Sequence, residues 1–293
     1  MIVVTAPTGH IGSEVLAGLL SHDEAVRVVV RDPDRLPAAL RDRVEIVPGT
    51  HRDRDVVERA FDGADAVFWL VPADPKAASI YDAYVGFSLA AADAIHHHEV
   101  PRVVTVSALG RGAQRYAGHV SATIAMDEMI RSTGAHVREL ANPSFMDNVA
   151  RQVASIRDRG VLSATLPADL KLPTIATRDI AAAAVPLLLQ RSWVGQETVN
   201  LLGPEDLSQN DLAAILTDVL DKPVRYERGD RAEDKQTFLK YGMSDAVAQA
   251  LIDMDLAKEH GIDTVVARTP QNSTPTTFRQ WATDVLKPAV EPR

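Results

Sequence analysis

The sequence predicts an α/β protein built on a doubly wound parallel sheet, and three observations predict it. An apolar, β-branched run at residues 2–5 passes through a small-residue turn straight into an amphipathic helix. Further runs at residues 26–32, 44–49, 66–71 and 102–107 alternate with helical periodicity across short links, the pattern of a parallel sheet with crossover helices. Most of these runs are nearly all apolar rather than alternating, as strands covered on both faces require.

Each element follows from its own residues. After the first strand, Val15, Leu16, Leu19 and Leu20 put an apolar stripe on one face of a helix that closes near Ser21. The second strand ends at Arg31 and Asp32, residues 33–43 carry turn residues and a short helical piece, and the third strand reaches Gly49. A helix over residues 53–61 buries Val56, Val57, Ala60 and Phe61, and the fourth strand is stopped by Pro72. Residues 79–98 read as one long helix, with Tyr81, Tyr84, Val85, Leu89 and Ala92 suited to packing on the sheet. It ends on His96, His97 and His98; neighbours on a helix point in different directions, so these imidazoles are not expected to share an ion, and no metal site is expected. The fifth strand closes on Ser107, a helix follows over residues 119–133, and a strand over 136–140. Residues 141–148 break the alternation, and helices are expected over 177–189, 208–220, 245–260 and 276–286, punctuated by Pro167, Pro173, Gly203 and Pro204. The division expected is a nucleotide domain over residues 1–145, with returning elements from about 174–203, and a smaller substrate-binding lobe over 146–293.

Composition bounds the function. With 293 residues and 46% hydrophobic content the chain can bury a substantial core, and its formal net charge of -9 argues against a nucleic-acid surface. It has no cysteine, which excludes disulfides, thiolate zinc sites and a cysteine nucleophile. A strand beginning at residue 2 leaves no room for a signal peptide, and no apolar run has membrane-spanning length. The expectation is a cytoplasmic monomer or homodimer acting on a small molecule, with neither nucleic acid nor membrane as partner.

The first turn carries the chemistry. Gly9 can lie against a pyrophosphate, and Gly12 lets the helix pack close to the strand, while the helix start offers backbone N–H groups and the positive end of its dipole. This is the Rossmann-like arrangement, and it nominates Thr5, Thr8, Gly9, His10, Ile11 and Gly12 as cofactor residues. About twenty residues on, Arg31 can clamp a ribose 2′-phosphate with its guanidinium fork, which favours NADP over NAD; Asp32 beside it is the competing reader. Strand ends at the switch point of the sheet add Thr50, Leu70, Val71, Pro72 and Ser107 to the cofactor set. Ser107, Tyr116 and His119 are the candidate catalytic groups, and His119 is the one whose ordinary pKa lies near neutrality, making it the expected proton donor.

The ordered segments Thr8-Gly9-His10-Ile11-Gly12, Val30-Arg31-Asp32-Pro33, Val106-Ser107-Ala108-Leu109-Gly110, Asn142-Pro143-Ser144-Phe145-Met146-Asp147-Asn148 and Thr177-Arg178-Asp179-Ile180-Ala181 together resemble the NmrA-like group of atypical short-chain dehydrogenases. The resemblance runs nearly end to end. It implies an NADPH-dependent reductase similar to those acting on quinones and triphenylmethane dyes, or a regulator that binds the dinucleotide without turning it over. The chain departs from the family pattern at Ala6, where glycine is usual, and at Asn142, where arginine is usual. The Tyr-x-x-x-Lys pair of ordinary short-chain dehydrogenases falls on Val120 and Ile124, which transfer no proton. The leading expectation is hydride transfer from NADPH to a small apolar, quinone-like or conjugated carbonyl substrate, with Asn142, Phe145 and Met146 at the substrate and Trp69 and Tyr84 as further apolar lining. The alternative is a non-catalytic NADP-binding redox sensor acting through a protein partner.

Overall fold

The structure is a computed structural model and describes residues 1–291. In chain order the strands are β1 (Ile2–Thr5), β2 (Val26–Val30), β3 (Glu45–Pro48), β4 (Ala66–Trp69), β5 (Arg102–Ala108), β6 (His136–Asn142), β7 (Ser144–Phe145), β8 (Val161–Ala164), β9 (Leu172–Ile175), β10 (Gln196–Asn200), β11 (Asp206–Leu207) and β12 (Arg225–Arg228). The helices are α1 (His10–Leu20), α2 (Ala38–Arg41), α3 (Arg54–Phe61), α4 (Phe87–His97), α5 (His119–Arg131), α6 (Val153–Arg159), α7 (Thr177–Leu189), α8 (Gln209–Leu220), α9 (Arg231–Lys240), α10 (Asp245–Glu259), α11 (Phe278–Trp281) and α12 (Lys287–Val290).

The chain divides into two compact units: Met1–Ala108, Ala122–Ala141 and Ile180–Val199 form the first, and Leu109–Ser121, Asn142–Asp179 and Asn200–Arg293 the second. The first unit holds the seven-stranded sheet, ordered β10-β6-β5-β4-β1-β2-β3. Its strands from β3 to β5 pair in parallel, with Val4 beside Val28 on one side and Phe68 on the other. That order reverses direction between β1 and β4, and such a switch point is where an open parallel sheet presents a crevice beyond its strand ends. β1 and β4 are buried along their whole length, and α1 packs over β1 and β2 with Val15, Leu16 and Leu19 fully buried.

The long helix expected over residues 79–98 is interrupted by a π-helical turn, Asp82–Gly86, before α4 continues. This turn carries buried Tyr84, whose hydroxyl bonds Thr123 and whose burial pushes its pKa up. Tyr84 and Trp69 are therefore core rather than pocket lining: Trp69 is fully buried, donates from its indole to Ser88 Oγ at 3.1 Å, and packs edge-on against His51 and Phe61.

The second unit has its own core, in which Met146, Ile156, Leu162, Leu212 and Leu216 meet the stacked rings of Phe278 and Trp281, 5.5 Å apart. Around it lie a three-stranded sheet, β11-β9-β7, and a two-stranded parallel pair, β12-β8. Among the described residues no helix is long and apolar enough to cross a membrane.

Candidate functional site

In the first unit, β1 hands the chain to α1 through a turn in which Ala6 takes a left-handed conformation, φ 51°. A non-glycine residue there is strained by on the order of 1 kcal/mol, which glycine would avoid. The Gly9 N–H closes the turn onto the Ala6 carbonyl at 3.1 Å. At Gly12 a Cβ would stand 2.1 Å from that same carbonyl oxygen, so the helix can approach the turn only without a side chain there. At Gly9 the nearest atom would be 3.5 Å away, an ordinary contact, so no packing within the protein requires the absence of a side chain at this exposed position. Among the described residues, no side chain caps α1 and no acidic residue stands in its first turn, which leaves its positive end for an external anion. These features fit a dinucleotide pyrophosphate.

Several expected cofactor residues take supporting positions instead. Thr5 is fully buried; its hydroxyl donates to the Phe68 carbonyl at 2.9 Å and accepts from the Leu70 N–H at 2.9 Å. It ties the ends of β1 and β4 together and offers a ligand no surface. Ile11 is likewise core. Thr8, Gly9 and His10 retain exposure on the turn, as Val71 and Pro72 do beyond β4.

Arg31 and Asp32 have separate tasks. The Asp32 carboxylate accepts from the Asp34 N–H at 3.1 Å, starting a short 3-10 turn. Arg31 is exposed and, among the described residues, makes no hydrogen bond or ion pair. It stands close enough to His51 for its charge to help depress that imidazole, whose pKa is lowered to about 4, first by burial. His51 is bound to the Leu70 carbonyl at 3.0 Å, so the loop after β3 is tied to the end of β4. Thr50 sits half-buried at the start of that loop, its hydroxyl accepting from the Arg52 N–H at 3.3 Å.

At the end of β5, Thr105 and Ser107 project to the same face, and both hydroxyls donate to one buried carboxylate: Thr105 to Asp127 Oδ1 at 2.9 Å, Ser107 to Asp127 Oδ2. Nothing in the sequence around Asp127 marks it as the partner of these hydroxyls. The Thr-x-Ser alternation that sets both hydroxyls on one face is local to β5, but their acceptor lies on α5.

In the second unit, His119 opens α5 and differs from the expected acid. Burial and the Lys258 ammonium lower its pKa to about 4, so the imidazole is neutral at pH 7 and carries no imidazolium proton to give. Lys258 is itself buried and paired with buried Asp263, an arrangement that no local sequence signal announces. Tyr116 is half-exposed and, with Arg115, Asp253, Leu256, Ala257 and His260, lines a cavity of about 180 Å³. Of the expected substrate residues, Met146 is a member of the hydrophobic core and Asn142 is buried, its carbonyl accepting from the Leu109 N–H at 3.0 Å. Only Phe145, half-buried on β7 beside Ile175, keeps a face available.

Comparison with known proteins follows the same lines. The NmrA-like family matches residues 1–282. A curated (4-alkanoyl-5-oxo-2,5-dihydrofuran-3-yl)methyl phosphate reductase of Streptomyces griseus is 31% identical over 97% of each chain. An NAD(P)H azoreductase of Xenophilus azovorans is 27% identical over 87% of this chain and 86% of its own. Among solved structures, an NADPH-dependent quinone oxidoreductase of Escherichia coli, complexed with NADPH, superimposes with a TM-score of 0.80 at 20% identity, covering 97% of this chain and 99% of that one.

Proposed function

The chain belongs to the NmrA-like family, and from that premise we propose that it is an NADPH-dependent reductase of small, conjugated carbonyl or quinone-like compounds. The observation that carries this reading is Arg31, an exposed guanidinium without a protein partner at the end of β2, in the same unit as an uncapped α1. The turn at Gly9 and Gly12 would receive the pyrophosphate and Arg31 the ribose 2′-phosphate, with the backbone beyond β4 and the end of β5 alongside the rest of the nucleotide. When bound, the cofactor supplies the hydride; the protein supplies binding, orientation and a shaped environment.

The protonation state of the candidate groups narrows the acceptor. Ser107 has its hydroxyl proton committed to Asp127, and His119 is neutral. Neither holds an acidic proton ready for a simple alkoxide, whereas a hydride acceptor whose product is an enolate or a hydroquinone anion can take its proton from water. The acceptors named for two relatives fit that class: an acylated dihydrofuranone phosphate and quinones. Phe145, the expected substrate residue that keeps a face available, would contribute apolar contact to such a ring.

The test is NADPH oxidation by the purified chain across acylated dihydrofuranones, quinones, enones and saturated ketones. Turnover of conjugated acceptors with little or none of saturated ketones is expected. Tight NADPH binding with no oxidation of any acceptor would favour instead a redox sensor acting through a protein partner, the reading that Val120 and Ile124 at the Tyr–Lys positions keep open.

A further inference from the structure

The adjacent histidines behave differently from the sequence expectation. His97 is the last residue of α4, and His98, its C-cap at φ -88° and ψ 6°, has already left helical geometry. The two rings no longer diverge: their centroids are 4.6 Å apart at a 42° tilt. His97 Nδ1 and His98 Nε2 both lie 2.9 Å from one oxygen, Oε2 of Glu58 in the last turn of α3. His96 takes a separate course, its Nδ1 3.3 Å from the Thr133 carbonyl oxygen. The two histidines hold the Glu58 carboxyl below the usual carboxylate range.

We propose that Glu58, His97 and His98 form a site for a divalent transition-metal ion, with Zn²⁺, Ni²⁺ and Cu²⁺ as the ions the donor set selects. Two imidazoles and a carboxylate are the borderline ligands these ions prefer over Mg²⁺ or Ca²⁺. The three donor atoms lie within 4.8 Å of one another. Two ligands each at about 2.1 Å from an ion stand about 3 Å apart at the right angles of a tetragonal or six-coordinate ion and about 3.4 Å apart in a tetrahedron; the 2.9 Å between Glu58 Oε2 and each ring nitrogen is close to the first and needs a small outward shift for the second. The ion would replace two shared N–H hydrogens. Each neutral ring then carries its proton on the other nitrogen, Nε2 of His97 and Nδ1 of His98, so no proton need be lost. Asp62 Oδ1 lies 4.0 Å from His98 Nδ1, outside hydrogen-bond reach but near enough for its charge to favour a proton on that nitrogen. His97 is largely exposed, which leaves an entry path and room for water to complete the coordination.

The topology separates this site from the cofactor turn. α3 leads into β4 and α4 into β5, so Glu58 and His98 lie toward the amino ends of the strands, whereas the α1 turn and Arg31 follow strand carboxyl ends. The ion would act as a clip between α3 and α4, stabilising the first unit by mass action without joining the reaction.

The experiment is calorimetric titration of Zn²⁺ and Ni²⁺ into the untagged, metal-stripped full chain, paired with electron paramagnetic resonance of the Cu²⁺ complex. One ion per chain is expected, with a rise in the thermal midpoint on saturation. Glu58→Ala and His98→Ala should each weaken binding by about tenfold or more, and the Cu²⁺ spectrum should show two nitrogen ligands, reduced to one in His97→Ala. His22→Ala and His136→Ala should leave all of this unchanged, and NADPH affinity should be the same with and without the ion. Binding unaffected by the Glu58 and His98 substitutions, or a Cu²⁺ spectrum that His97→Ala does not alter, would overturn the site. The spectroscopic count holds even for a variant of reduced stability, since it reads ligands and not midpoint.

Discussion

Arg31 and Asp32 are adjacent and opposite in charge, and the backbone decides between them. Asp32 is consumed by the turn it starts, while Arg31 remains exposed beside the His51 loop. NADPH should therefore bind more tightly than NADH, and Arg31→Ala should remove most of that difference by deleting a charge-assisted contact worth about 1.5 to 3 kcal/mol, roughly tenfold or more in affinity. Fluorescence titration of both nucleotides against both proteins measures this, and equal affinities in the unmodified chain would refute it. At His119 the sequence misleads, because a histidine at a helix start reads as titrating near neutrality, whereas buried Lys258 reaches it from α10. With a folded pKa of about 4, its charged form is absent above roughly pH 5. Turnover should then show no descending limb from this residue between about pH 6 and 8, and His119→Gln should retain the shape of the wild-type profile across that range. A rate that falls through pH 6.5 in the wild type and is flat in His119→Gln would restore the imidazolium as the acid.

At the scale of elements, the legible parts are those with a long or emphatic period. The strands around β1, the helix α1 and the glycine turn can be read directly, since β-branched runs and an apolar stripe are local properties of the chain. The small strands β7, β9, β11 and β12 cannot, because Ser144–Phe145, Leu172–Ile175, Asp206–Leu207 and Arg225–Arg228 form no β-branched apolar run of the kind that marks β1. The convergence of His97 and His98 depends on where α4 ends to within one residue, the least readable feature of any helix. Gly12 is the sharpest element-level test. A Cβ there meets the Ala6 carbonyl at 2.1 Å and the turn backbone next to it, so relief requires moving α1 off β1. Gly12→Val should abolish NADPH binding and destabilise the chain by about 1 to 3 kcal/mol, in the range of overpacking substitutions. Gly9→Ala, with its nearest contact at 3.5 Å, should fold as the wild type does and lose affinity only. Undiminished NADPH binding by a folded Gly12→Val would show that the turn does not carry the pyrophosphate.

For the molecule as a whole, each unit holds, among the described residues, a histidine kept in its neutral form: His51, buried, in the first and His119, half-buried, in the second. Both have folded pKa values of about 4 against 6.5 in the unfolded chain, so between these values the unfolded state binds the additional protons. The resulting stability is fully present above about pH 6.5 and is lost progressively as pH falls toward 4. For His51, surrounded by Trp69 and Phe87 at ring distances of 5.1 and 4.9 Å, the loss between pH 7 and 5 is about 2 kcal/mol. Urea unfolding at a series of pH values, followed through tryptophan emission, should show a steep decline in stability over this interval. His51→Phe keeps an aromatic ring but removes the shorter of the two hydrogen bonds to the Leu70 carbonyl, leaving the Thr5 hydroxyl at 3.4 Å, so the variant should be less stable at pH 7. Its pH slope should nonetheless be shallower than that of the wild type, because one titrating group has gone. That slope separates lost packing from lost titration: a variant that is destabilised equally at pH 7 and pH 5 would show that His51 contributes only contacts, and that protonation of its imidazole does not drive the acid sensitivity of the first unit.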